Sequence, residues 1–158
     1  MQLKLLVVGE TKEKTMQELI NDYALRINYR LPFKIEVIPD APHRLTGGNE
    51  AKVKEWEGEQ ILQRIGVGEK PILLDEKGKS YTSRALADQL EAKLGSSIKC
   101  WTWIVGGAYG FSEAVYKAVP ERISLSKLTF THQMVRLIAV EQMYRTITII
   151  YHLPYHHD

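Results

Sequence analysis

The chain has 158 residues, 44% hydrophobic and 25% charged, which suffices for one well-buried core and falls short of two comfortable domains. A formal net charge of +2 excludes an overall polybasic field, so any contact with nucleic acid has to rest on local patches. The single cysteine excludes an intrachain disulfide framework, and Cys100, inside the apolar run KCWTWIV, reads as a buried structural thiol rather than a nucleophile.

The opening LKLLVV is too short for a signal-peptide core or a membrane span, so a cytoplasmic protein without a membrane partner is expected. It reads instead as a strand, Leu3 to Val8. A helical period follows over Lys14 to Asn28, and Lys34 to Ile38 is the second strand. PDAPHRLTGGN mixes charges with proline and glycine and reads as an exposed loop, either solvated or touching RNA through His43 and Arg44. Then come a helix from Glu50 to Ile65, a strand from Pro71 to Leu74 closed by the turn LLDEKGK, and a helix from Arg84 to Leu94 capped by Thr82 or Ser83. The strand Cys100 to Val105 enters a glycine loop, and Ser112 caps the helix Glu113 to Ala118. A last strand, Arg122 to Leu125, precedes a helix from His132 to about Ile150 capped by Thr131. This alternation predicts an α/β fold: a parallel sheet, most of its strands apolar on both sides, with helices on both faces. Ligands of such sheets sit at the carboxyl ends of the strands, here after Leu74, Val105 and Leu125.

GGAYG matches neither the dinucleotide spacing GxGxxG nor the phosphate-loop pattern GxxxxGK[ST]. Gly106, Gly107 and Gly110 serve either a tight strand-to-helix turn or the close approach of backbone to a ligand. The loop SLSKLTF carries no acidic or metal-ligating cluster, so it would wrap a ligand through main-chain N–H and C=O groups. The last helix is apolar almost all round, broken by His132 with Arg136 and, nearly opposite, by Glu141 with Arg145. Such a helix asks for two covers, the sheet and a partner subunit, which predicts a homodimer; a deep core helix in a monomer is the plainer alternative.

Together IVGGAYGF, LSLSKLTFTHQMVRLIAVEQMYR and PYHHD resemble the RlmH family of large-subunit ribosomal RNA methyltransferases, in the SPOUT superfamily, and the likeness spans essentially the whole chain. The resemblance implies one domain over 1–158 with a C-terminal trefoil knot, a knotted cofactor region at about 71–150, a homodimer, and methyl transfer from S-adenosyl-L-methionine to N3 of a pseudouridine in large-subunit 23S rRNA. It places cofactor contacts on Leu74, Gly106, Leu125, Ser126, Lys127, Leu128, Thr129 and Phe130, with the glycines admitting main chain to a bent cofactor. Thr131 stands where proline is common in the family, and threonine still caps the helix.

The N3 imide is mostly protonated at neutral pH, so a base or an anion-stabilising cation is needed. His132 and Arg136, one helical turn apart, are the candidates; otherwise His132 caps the helix and Arg136 holds a phosphate or carboxylate. The tail YHLPYHHD lacks the second ligand pair of a structural zinc site, so no metal is expected. In the family such a tail lies over the partner's pocket, where Tyr155 would stack on a base and His156 would face phosphate, with Arg145 also on rRNA unless it pairs with Glu141. Trp56, Trp101 and Trp103 read as core or groove residues. Two rival functions fit the same chain: a noncatalytic nucleotide- or ribosome-binding module, and a sister SPOUT enzyme acting on tRNA.

Overall fold

The computed structural model describes residues 1–155. Five parallel strands, β1 (Gln2–Val8), β2 (Phe33–Ile38), β3 (Glu69–Ser80), β4 (Cys100–Val105) and β5 (Arg122–Ser124), lie in the order β2-β1-β4-β3-β5. The helices are α1 (Lys14–Asn28), α2 (His43–Thr46), α3 (Glu50–Gln63), α4 (Ser83–Leu94), α5 (Glu113–Ala118) and α6 (His132–Ile150). The central strands β1 and β4 are buried on both faces, as expected of strands between two helix layers. Leu3, Leu5, Val7, Trp101 and Trp103 join the layer of α1, α4 and α6. Leu6, Val8, Leu73 and Ile104 join the layer of α3 and α5.

The helix starts other than that of α2 follow the sequence because each has a side-chain acceptor for its unpaired N–H groups. Thr82, Ser112 and Thr131 accept from Ala85 N, Val115 N and Met134 N, and Glu13 and Asn49 do the same for α1 and α3.

Two readings of the sequence need correction. DEKGK does not end β3: the strand continues to Ser80 through a bulge in which both Leu74 and Lys79 align with Ile123. PDAPHRLTGGN holds a one-turn helix, α2, closed by the left-handed Gly47 at φ +58°. The edge strand β2 is apolar and buried mainly at its two ends, since charged Lys34 and Glu36 meet solvent or the ion pairs beside it.

Candidate active site

The bulge of β3 and the carboxyl ends of β4 and β5 open into a cavity of about 890 Å³, within the range that suits a small-molecule ligand. Leu74, Val105 and Leu125 form its apolar floor, and Asp75, Glu76 and Lys77 of the β3 bulge form one wall. Gly106, Gly107, Ala108 and Gly110 form a second wall, and the loop from Ser126 through Thr131 closes a third. Met16 and Glu13 approach from the start of α1.

Each wall is held from behind. Asp75 Oδ1 accepts Lys77 N at 2.8 Å, and its Oδ2 accepts the Tyr116 hydroxyl at 2.6 Å. Burial and that hydrogen bond push the Tyr116 hydroxyl up to about 12, so it stays a donor. In the third wall Ser124 Oγ donates to Ser126 O at 2.8 Å and Ser126 Oγ accepts Leu128 N at 2.9 Å, which folds the loop on itself.

The glycines answer to close packing by neighbouring side chains. A Cβ on Gly106 would lie 3.1–3.3 Å from the Phe111 ring, and one on Gly107 would lie 2.8 Å from Glu57 Oε1 and nearer still to Oε2. Gly110 has φ +77°, which a β-carbon would strain. So the turn requirement and the close approach are both real, and the close approach is to Phe111 and Glu57.

Of the sequence-predicted cofactor residues, Leu74, Gly106, Leu125, Ser126, Leu128, Thr129 and Phe130 line the cavity, and Lys127 does not. His132 lines it as well, with its imidazole held below its ordinary value by partial burial and then by the Arg136 charge, while Asp40 pulls the other way. Arg136 turns inward. It is 1% exposed, donating from Nη2 to Val8 O at 2.5 Å and from Nη1 to Thr11 Oγ1 at 3.0 Å, so it faces the β1–α1 turn and not solvent. Gln133 Oε1 ties the same turn to α6 by accepting Lys12 N at 3.3 Å.

Arg145 and Tyr155 sit away from the cavity of their own chain. Arg145 pairs with Glu141 at 2.5 Å, and Tyr155 OH donates to Glu141 Oε1 at 3.1 Å while its ring packs edge-on to Tyr144. For Arg145 this is the i,i+4 ion pair that the sequence spacing offers. His156 lies outside the described residues.

A family model described as "Predicted SPOUT methyltransferase" matches residues 1–156. The chain belongs to the SPOUT methyltransferase family. Relatives named "Ribosomal RNA large subunit methyltransferase H" align with it over the full length of both chains: one from Parabacteroides distasonis at 49% identity, one from Phocaeicola vulgatus at 46% and one from Flavobacterium johnsoniae at 43%. The family implies a methyl-donor cofactor, and the cavity that could hold one is lined by the apolar Leu74, Val105 and Leu125 and by the acidic Glu13, Asp75 and Glu76.

Sequence reasoning missed Asp75, Tyr116 and Glu57. The signal for Glu57 is a carboxylate on the stripe Val53, Glu57, Ile61, where an amphipathic helix otherwise presents apolar residues.

The bulge wall carries a sharp prediction. A Cβ on Gly78 would fall 2.6–2.7 Å from the backbone of Arg122 and Ile123, which cannot yield as a flexible side chain can. Gly78→Ala is expected to pry β3 from β5, costing about 1–3 kcal/mol of stability. Because β5 leads into the Ser126–Thr131 loop, donor affinity falls more than unfolding at ambient temperature explains; a thermal melt beside a binding titration checks this.

Proposed function

We propose that this chain is an rRNA methyltransferase that moves the methyl group of S-adenosyl-L-methionine to N3 of a pseudouridine in large-subunit 23S rRNA, working in the cytoplasm. The observation that carries the reading is full-length identity of up to 49% with relatives named for large-subunit ribosomal RNA methylation, in a chain with a cavity at the β3 bulge and the ends of β4 and β5. Among the described residues no helix is long and apolar enough to cross a membrane.

When bound, the donor supplies a sulfonium methyl open to in-line attack. Leu74, Gly106, Leu125, Ser126, Leu128, Thr129 and Phe130 would hold it, with Lys127 in the same loop. His132, whose imidazole leans neutral, takes the N3 proton. Arg136 is the cation behind it: it keeps His132 neutral and fixes the Val8–Thr11 turn.

A homodimer belongs to the same proposal. Leu128, 74% exposed, and Met134 lie beside the cavity mouth, and Leu137 and Ile138 of α6 stay half-exposed, an apolar strip suited to a second copy. Across that interface Arg145, Tyr155 and His156 would serve rRNA at the partner's cavity. The trefoil knot over about 71–150 and one domain over 1–158 complete the reading, supported by α6 returning across the sheet to pack on both α1 and α4.

The test is calorimetry with S-adenosyl-L-methionine followed by methyl transfer to whole ribosomes, free 23S rRNA and tRNA. Binding together with N3-methylpseudouridine in 23S rRNA is expected. No binding favours the noncatalytic module, and a methylated tRNA favours the sister enzyme.

A further inference from the structure

Against Gly107 of the glycine loop lies a buried carboxyl group, one of whose oxygens has no hydrogen-bond partner among the described residues. Glu57 of α3 is 6% exposed, and its Oε2 makes no hydrogen bond among the described residues. The group is pressed into place from two directions. Gly58, the next residue, allows α3 to close on α5, since a Cβ there would lie 3.1 Å from Ser112 Cβ and closer to its Oγ. That approach sets the Glu57 carboxyl against Gly107, which lines the cavity. An unpaired buried acceptor costs free energy wherever the chain could have placed an apolar residue, and the neighbours Val53 and Ile61 on the same stripe show that apolar residues suit this face.

We propose that Glu57 is a positioning residue for the methyl donor: pressed against Gly107 it sets the shape of the glycine loop, and it becomes a carboxylate when a cationic donor enters the cavity. The inference rests on the donor reading given above. Burial, then the charge of Asp40, raises the Glu57 carboxyl to about 7, so near neutral pH it divides between acid and carboxylate. The elements packed on α3 also carry Glu113 and Lys117 on α5, His43 and Arg44 on α2, and Lys34 and Glu36 on β2, and Asp40 is the charge that moves it. A cationic donor held in the cavity that Gly107 lines would favour the ionised form. By linkage, binding lowers the Glu57 pKa, and donor affinity rises with pH through about 7. Each unit by which that pKa falls on binding contributes up to about tenfold in affinity across the transition.

The experiment is calorimetry between pH 6 and 8 with S-adenosyl-L-methionine and with S-adenosyl-L-homocysteine, which keeps the shape and lacks the sulfonium charge. Wild type is expected to gain severalfold in affinity for the cation and markedly less for the neutral thioether. Glu57→Gln flattens the difference, raises KM for the donor and leaves kcat at saturation within about twofold. His132→Gln, which removes the other group titrating nearby, keeps it. Equal pH slopes for the two ligands in wild type overturn the inference even if Glu57→Gln does not fold, and so does an unchanged slope in folded Glu57→Gln. Wild type that binds neither ligand overturns the donor reading itself, and this inference with it.

Discussion

Replacing Lys4 by alanine is expected to remove about 3–5 kcal/mol of unfolding free energy, the range for breaking one partner out of a buried ion pair. Lys4 lies in the middle of the sheet, 1% exposed, and its Nζ reaches Glu69 Oε2 at 2.8 Å and donates to Arg64 O at 2.9 Å. Thr102 donates to the same Glu69 carboxylate at 2.7 Å, so β1, β4 and the start of β3 share one polar knot at the end of the sheet remote from the cavity. Burial alone would raise the Glu69 carboxyl, but Lys4 and Thr102 overcome it and hold it below its ordinary value of 4.5. A depressed carboxylate contributes stability above its unfolded pKa and loses it as pH falls through the folded one, so the wild-type contribution fades below about pH 4.5. In Lys4→Ala the stranded Glu69 titrates higher, and the penalty is largest at neutral pH. Urea melts at pH 4 and pH 7 read both effects. Lys4→Met with Glu69→Leu should recover much of the loss, since a well-packed apolar pair replaces both charges together. A single-variant cost under 1 kcal/mol at pH 7 would mean that solvent reaches the pair.

The strands and helices were legible because period and caps agreed: the α1 and α6 bounds, and the β4 bounds, stand where apolar pattern and capping residues put them. The β3 bulge was not, because DEKGK has turn chemistry, and the Asp75 carboxylate does make a local turn; the strand resumes through the close approach of Gly78 to β5, a tertiary fact. The cavity's place was readable from strand ends alone. The direction each site residue faces was not. His132 and Arg136 share a helical stripe, yet one lines the cavity and the other is buried, because α6 tilts its first turn over the β1–α1 turn where Val8 O and Thr11 wait for a guanidinium. Spacing gives a face, and the neighbouring elements decide what that face meets. Glu57 was unreadable for a related reason: a charge on an apolar stripe signals something buried, and only the packing of α3 on α5 says that it is Gly107.

His132→Gln is expected to lower the methyl-transfer rate by about 10²- to 10⁴-fold, the usual worth of a positioned general base, while donor affinity at pH 7.5 stays within threefold of wild type. The N3 proton must leave before that nitrogen attacks, and among the described titratable side chains lining the cavity His132 is the one whose neutral form is a good acceptor near neutral pH. Its pKa is depressed by burial first and by the Arg136 charge second. The sign follows: a base works when deprotonated, so kcat climbs with pH on the acid side, with the midpoint of that limb below the ordinary imidazole value of 6.5. Arg136→Met removes the neighbouring positive charge, which lets the imidazole pKa rise and moves the acid limb to higher pH; it also frees the β1–α1 turn by deleting the donors to Val8 O and Thr11 Oγ1. A single-turnover pH profile separates the two roles, because a shifted limb reports charge on His132 and a uniformly lower plateau reports loss of geometry. Near-wild-type turnover in His132→Gln would move the proton to another acceptor, with the Asp75 carboxylate on the facing wall as the next group to replace.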